Sequence, residues 1–226
     1  MDNIIEFNEF TVPAGCSNAE ACCWICQKGN SLRALFCQHC GAIQPVRALD
    51  HFARLGLDRR IDIDLEALER QYTTLARTLD PERFAIRGMG ERGYAAKQRE
   101  AVEEAYQTLR DPLKRSRYWF ALHERDIVET ESCNPLVCEL NYELDSSVIA
   151  GQCDRVAQKA GQAMEQGVVG LMQALRNRNW QLANAMLVEV DGLEAILGKV
   201  RARREYLSGG MNNPDGPPNS EWSRTK

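Results

Sequence analysis

Cys23-Trp24-Ile25-Cys26 and Cys37-Gln38-His39-Cys40 are two C-x-x-C pairs, with Gln27 to Phe36 between them. Two residues between cysteines let both sulfurs turn inward onto one ion. Two such knuckles complete a four-thiolate tetrahedral site of the kind that holds zinc. Four protein ligands leave no open coordination position, so the zinc expected at Cys23, Cys26, Cys37 and Cys40 is structural and does no chemistry. Lys28-Gly29-Asn30-Ser31 offers a turn between two short extended arms. A segment this small has no sufficient core, and the ion would supply its folding energy. A redox C-x-x-C is the competing reading. That motif opens a helix beside a strand, and neither pattern surrounds these pairs. Cys16 and Cys22 fall outside the pattern as spare thiols.

Other chemistry is sparse. His39, His51 and His123 are the only histidines. None pairs with a nucleophile in a recognisable pattern, so no catalytic constellation is visible and an enzyme is not expected. The net charge of −4 gives no global basic field. This opposes, without removing, the alternative of a zinc-ribbon nucleic-acid-binding protein. No apolar stretch approaches a membrane span. Met1-Asp2-Asn3-Ile4-Ile5-Glu6 is acidic and lacks the Arg-rich pattern of a transit peptide, so a cytoplasmic location is expected. Nine cysteines in a reducing compartment point to metal rather than disulfides.

The elements that must carry these residues are mainly α-helical. Residues 1–46 form the cysteine-rich zinc-binding segment. Residues 47–123 read as helices around a polar connection at 80–93. Residues 124–133 read as a linker, 134–207 as a second helical unit, and 208–226 as a disordered tail rich in Gly, Pro and Asn. Asp64 is a candidate N-cap. Leu65, Leu68, Tyr72, Leu75 and Leu79 share one helical face, answered by Val102, Ala105, Tyr106 and Leu109. Leu113 to Leu122 reads as a further short helix of this domain, docked by Tyr118, Trp119 and Leu122. Leu136, Val137 and Leu140 begin a helical pattern. Val148, Cys153, Val156, Ala160 and Ala163 then form one buried face. Leu182, Met186, Val190, Leu193 and Leu197 form another after a turn at Arg178-Asn179. The expected architecture is a small zinc-ribbon-like segment, a helical hairpin domain and a C-terminal three-helix bundle.

From Cys23-Trp24-Ile25-Cys26 and Phe36-Cys37-Gln38-His39-Cys40-Gly41, through Ala48 to Leu57, to Ala105-Tyr106-Gln107-Thr108-Leu109-Arg110-Asp111-Pro112-Leu113, the chain resembles the HscB family. These are J-domain co-chaperones of iron–sulfur cluster assembly, and the resemblance covers roughly residues 22–207 in the family's order. It implies a J-like domain over 47–123. Asp80-Pro81-Glu82 stands where a J-domain carries His-Pro-Asp, the loop that contacts a heat-shock-seventy chaperone and triggers ATP hydrolysis. Pro81 is kept, and Glu82 keeps a carboxylate one methylene further out. Asp80 puts an obligate acceptor in place of a donor ring. Arg70, Arg77 and Arg83 would form the basic face that docks the chaperone.

The resemblance also implies that residues 134–207 bind the iron–sulfur scaffold protein through the apolar Leu136, Val137 and Leu140. Asn141 stands at one of the family's acidic positions, and Gly192 where the last helix carries an aromatic residue. The implied function is a co-chaperone linking scaffold to chaperone, with neither nucleic acid nor membrane as a partner. The alternative within the same resemblance is a J-like adaptor or competitor that binds partners without stimulating the chaperone's ATPase.

Overall fold

A computed structural model of the chain describes residues 20–128 and 134–209. The described residues fall into two compact units, divided between Lys114 and Arg115. In the first unit, β1 (Glu20–Cys22) and β2 (Gly29–Ser31) pair antiparallel, with Ala21 opposite Asn30. A bridge between Phe36 and Ile43 closes the second knuckle. α1 (His51–Arg54) is capped by Asp50, whose side chain accepts from the Ala53 N–H, and it delivers Phe52 and Leu55 to the core. α2 (Leu65–Thr78) starts at Asp64, which accepts from the N–H groups of Glu66 and Ala67, as the sequence leads one to expect.

The connection expected over 80–93 is more ordered than a loop. Asp80 caps a 3-10 helix, Pro81–Arg87, with Pro81 at a first-turn position where a missing N–H costs nothing. Gly88, at φ +100°, then breaks the chain's direction. α3 (Met89–Arg110) begins immediately afterwards, several residues earlier than the sequence suggested. Leu68 and Leu79 of α2 and Val102, Ala105, Tyr106 and Leu109 of α3 are buried. Leu65, expected on the same face, is 54% exposed because it stands at the frayed first position of α2. The rings of Tyr72 and Tyr106 stack at 4.0 Å, and each hydroxyl donates across the helix pair, to Glu103 and Glu69 respectively.

α4 (Pro112–Leu122) is the short helix expected from Leu113, and three contacts within the second unit help to seat it. Ser116 meets the sulfur of Met172, Arg117 pairs with Asp191, and the Phe120 ring packs edge-on against Trp180 at 5.4 Å. Leu113, Arg115, Ser116 and Phe120 are its buried residues; Tyr118, Trp119 and Leu122 are only half-buried. The first part of the expected linker is held too. The Val128 N–H donates to Asn184, whose amide donates back to the Val128 carbonyl. Residues 129–133 lie outside the described residues.

α5 (Pro135–Asp145), α6 (Ala150–Arg176) and α7 (Trp180–Gly209) form the three-helix bundle. Asn134 caps α5 through the N–H groups of Leu136 and Val137. The α6–α7 turn places Arg178 at φ +54°, and the Asn179 side chain accepts from Leu182 to start α7. Leu140, Leu144, Cys153, Val156, Ala160, Leu193, Ile196 and Val200 form one continuous core. Two expected buried residues are not buried. Val148 is 71% exposed because it precedes α6, and Leu182 is 45% exposed because α7 turns the neighbouring Ala183-Leu187-Val190 stripe inward. A Cβ at Gly167 would lie 2.7 Å from Val190, so this glycine sets how closely α6 and α7 approach. α7 reaches two residues into the expected tail; residues 210–226 lie outside the described residues.

These burial differences give opposite outcomes for two leucines. Leu140→Ala should destabilise the chain by about 2–5 kcal/mol, because it leaves a cavity in a closed core. Leu182→Ala should stay within about 0.5 kcal/mol. Urea denaturation of the two variants checks both, and equal losses would refute the assigned faces.

Candidate functional site

The four cysteines converge. Their Sγ atoms all lie within 4.8 Å of one another, with Cys23–Cys40 and Cys26–Cys37 each at 3.6 Å. Tetrahedral coordination with bonds of about 2.3 Å places sulfurs about 3.8 Å apart, so the donor set fits a metal ion closely. None of the four is in a disulfide. Each knuckle turns its backbone toward a sulfur: the Ile25 N–H points at Cys23 Sγ and the His39 N–H at Cys37 Sγ, both at 3.4 Å. Cys22, expected as a spare thiol, is disulfide-bonded, and Cys16 lies outside the described residues.

One side chain that sequence reasoning missed completes the centre. Gln44 is fully buried, and its amide nitrogen donates to Cys23 Sγ at 3.4 Å and to the Ala42 carbonyl at 2.9 Å. A polar residue just past a metal knuckle, flanked by Ile43 and Pro45, was the available signal. Burial pushes the Cys23 thiol up, but hydrogen bonds from the Cys26 and Ile25 backbone and from Gln44 outweigh it and bring it down to about 6. Cys37 is likewise lowered, with burial opposed by donors from Cys40 and His39. At Cys40 the Ala42 backbone acts downward, yet burial and the three neighbouring sulfurs push the thiol up to about 12. A cluster this tight sheds its first protons readily and its last one only to a cation.

The Asp80-Pro81-Glu82 segment sits at the turn between α2 and α3. Asp80 accepts from the Glu82 N–H at 3.2 Å. Two α3 arginines that the sequence did not single out reach it. Arg92 pairs with Glu82 at 2.6 Å, and Arg99 approaches Asp80 at 4.0 Å. Their spacing of seven residues, which repeats one helix face, was the signal for them. Arg83 donates to the Arg77 carbonyl at 3.1 Å, which closes the turn. Arg70 lies toward the other end of α2, beside Asp64 and Glu66. Arg70, Arg77 and Arg83 are all exposed, but Arg70 does not cluster with the other two.

Leu136, Val137 and Leu140 begin α5 together, yet they differ. Leu140 is fully buried in the bundle core, while Leu136 and Val137 are half-buried against its edge. Gly192 of α7 faces Val137: a Cβ there would stand 3.0 Å from Val137 Cγ2. Asn141 bonds the Val137 carbonyl and accepts from Lys199.

Two tests address the cysteine centre. Cys23→Ser or Cys40→Ser should abolish stoichiometric metal binding, whereas Gln44→Leu should keep one ion and weaken affinity about 10- to 100-fold. Because the ligands must be deprotonated, binding should weaken as pH falls, and uptake at neutral pH should release protons. Competition titration against a chromophoric chelator across pH checks each point.

No family model matches the chain. It is 36% identical over 118 residues to the iron-sulfur cluster co-chaperone protein HscB homolog of Arabidopsis thaliana, covering 52% of this chain and 46% of that protein. It is 32% identical over 113 residues to the iron-sulfur cluster co-chaperone protein HscB of Mus musculus, covering 47% of each. The chain thus spans less than half the length of these curated relatives. Its fold is shared with the crystal structure of human co-chaperone protein HscB, at a TM-score of 0.72 and 21% identity, over 81% of this chain and 98% of that one. A cysteine centre, a helical hairpin with a proline turn and a three-helix bundle follow one another along the chain, which is similar in sequence to HscB co-chaperones over about half of their length and shares the fold of the human one.

Proposed function

We propose that this protein is a co-chaperone, not an enzyme, that links an iron–sulfur cluster scaffold protein to a heat-shock-seventy chaperone. The observation that carries this reading is the Asp80-Pro81-Glu82 turn, held partly exposed between α2 and α3. Its relatives are named as iron–sulfur cluster co-chaperones, which supports the same reading. Asp80, Pro81, Glu82, Arg77 and Arg83 would meet the chaperone, with Arg70 further along α2. Leu136 and Val137 would meet the scaffold, with Leu140 fixing their helix from within. The metal is zinc in this reading, because a closed four-thiolate set with no open position suits a structural ion. No nucleic acid or membrane enters; among the described residues no helix is long and apolar enough to cross a membrane. Cytoplasmic placement belongs to the same reading.

A second reading, an adaptor or competitor without ATPase stimulation, is favoured by one observation. Both acidic side chains of the turn already face arginines of their own chain, Glu82 in contact with Arg92 and Asp80 within 4.0 Å of Arg99. Asp80 also cannot donate a hydrogen bond as histidine does. An unsatisfied partner group costs about 1–3 kcal/mol, roughly a tenfold to hundredfold loss of stimulation. In a single-turnover ATPase assay with the organism's own heat-shock-seventy proteins, the natural chain should stimulate weakly. Asp80→His combined with Glu82→Asp should raise stimulation. Strong stimulation by the natural chain would reject the adaptor reading. No gain in the double variant would reject this role for the turn.

Scaffold binding should weaken by about 2 kcal/mol in a Leu136→Ala, Val137→Ala variant if these side chains lie at the centre of the interface. Calorimetric titration checks this, with circular dichroism as the folding control. Unchanged affinity in a folded variant would remove this surface from the proposal.

A further inference from the structure

The cysteine centre and the Asp80-Pro81-Glu82 turn lie far apart in sequence, yet both attach to the first half of α3. From the metal side, three contacts reach it or its approach. The Trp24 ring, inside the first knuckle, packs edge-on against Tyr94 at 5.1 Å and covers Gly90, where a Cβ would stand 3.2 Å from it. Gln98, also buried, donates to the carbonyls of Gln44 and Pro45 at 3.0 and 3.1 Å. Phe36, next to Cys37, stacks on Phe84 of the 3-10 helix at 6.3 Å, and Arg87 of that helix reaches the Gly41 carbonyl. From the turn side, Arg92 and Arg99 hold Glu82 and Asp80. Positions 90, 92, 94, 98 and 99 thus join the two sites within about three helical turns.

The polar part of this path is continuous. Cys23 Sγ accepts from the Gln44 amide, and the Gln44 carbonyl accepts from Gln98 on α3. The Trp24 indole N–H donates to the Ile43 carbonyl at 2.7 Å, so the ring's tilt is tied to the strand that leads into Gln44. Both glutamines and Ile43 are buried, where an amide without its partner is costly. If the knuckles open, Gln44 loses its sulfur, Trp24 loses its seat on Gly90, and Phe36 leaves Phe84.

We propose that metal occupancy of the cysteine centre sets the order of the Asp80-Pro81-Glu82 turn, with Trp24, Phe36, Gln44 and Gln98 as the positioning residues that couple them. The loaded centre holds α3 and the 3-10 helix where Arg92 and Arg99 can clamp the two carboxylates. The empty centre releases the turn while leaving the α2–α3 pairing in place, since the Tyr72–Tyr106 stack and the buried Val102-Ala105-Leu109 stripe belong to the second half of α3, beyond Gln98.

Amide hydrogen exchange of the full chain, metal-loaded and after chelation, tests this without any chaperone, so its failure is separate from failure of the co-chaperone reading. The Glu82 and Arg83 amides, which donate to Asp80, and the Arg92 amide, which donates to Gly88, are the reporters. Metal removal should speed their exchange at least ~10-fold while amides from Val102 to Leu109 change less than ~2-fold. Gln98→Leu should still bind one metal, yet show fast reporter exchange when loaded and little further change on chelation. If Gln98→Leu does not fold, Phe36→Ser should give the same reduced response at Glu82 and Arg83.

Reporters that ignore metal removal overturn the proposal. Equal loss of protection throughout α2 and α3 also overturns it, because the ion would then be a general folding ligand. A folded Gln98→Leu variant, or Phe36→Ser in its place, with the full wild-type response overturns the assigned path.

Discussion

Four sulfurs within 4.8 Å of one another cannot all carry charge unless a cation stands among them. Much of the first unit's N-terminal side follows from that electrostatic constraint. The strand pair Glu20–Cys22 with Gly29–Ser31 is too small to fold on apolar burial alone. Its geometry is instead dictated from the centre outward, through backbone N–H groups that face Cys23 and Cys37. Trp24, Phe36 and Gln44 extend from this gathered centre, and these side chains form the surface against which α3 and the 3-10 helix rest.

The second unit answers to a different constraint, the distance of approach between helices. Gly167 lets Val190 come close, and small residues such as Cys153, Ala160 and Ala183 line the seam. The cluster from Leu140 to Val200 is built of apolar side chains, and its order rests on packing. Arg117 with Asp191 and Lys159 with Glu143 lie on the outside, where ion pairs contribute little.

Much of this was legible in the sequence, for physical reasons that differ by element. The cysteines were readable because metal coordination fixes ligand type and spacing. The start of α2 was readable because an aspartate before an apolar stripe has one obvious use. The 3-10 helix was not, since Pro81 starts a turn without saying how many residues follow it. The inward face of α7 was ambiguous because Leu182-Met186-Val190 and Ala183-Leu187-Val190 satisfy the same spacing, and only packing against α6 chooses between them. Leu140 was placed correctly on a helix, but its burial depends on α6 and α7, which no local pattern reports. The spacing of Arg92 and Arg99 marked one helix face but not their partners, which lie ten and nineteen residues earlier, across a turn whose shape had to be known first.

Gly192 illustrates how one missing side chain redistributes a surface. This position of α7 carries only a hydrogen, and the Val137 side chain of α5 packs close to it, so that a Cβ there would stand 3.0 Å from Val137 Cγ2. Any molecule recognising this face meets the half-buried aliphatics Leu136 and Val137 of α5 rather than a side chain projecting from position 192. Shape selectivity here must therefore come from the partner's convexity rather than from a cavity prepared to receive the chain's own anchor.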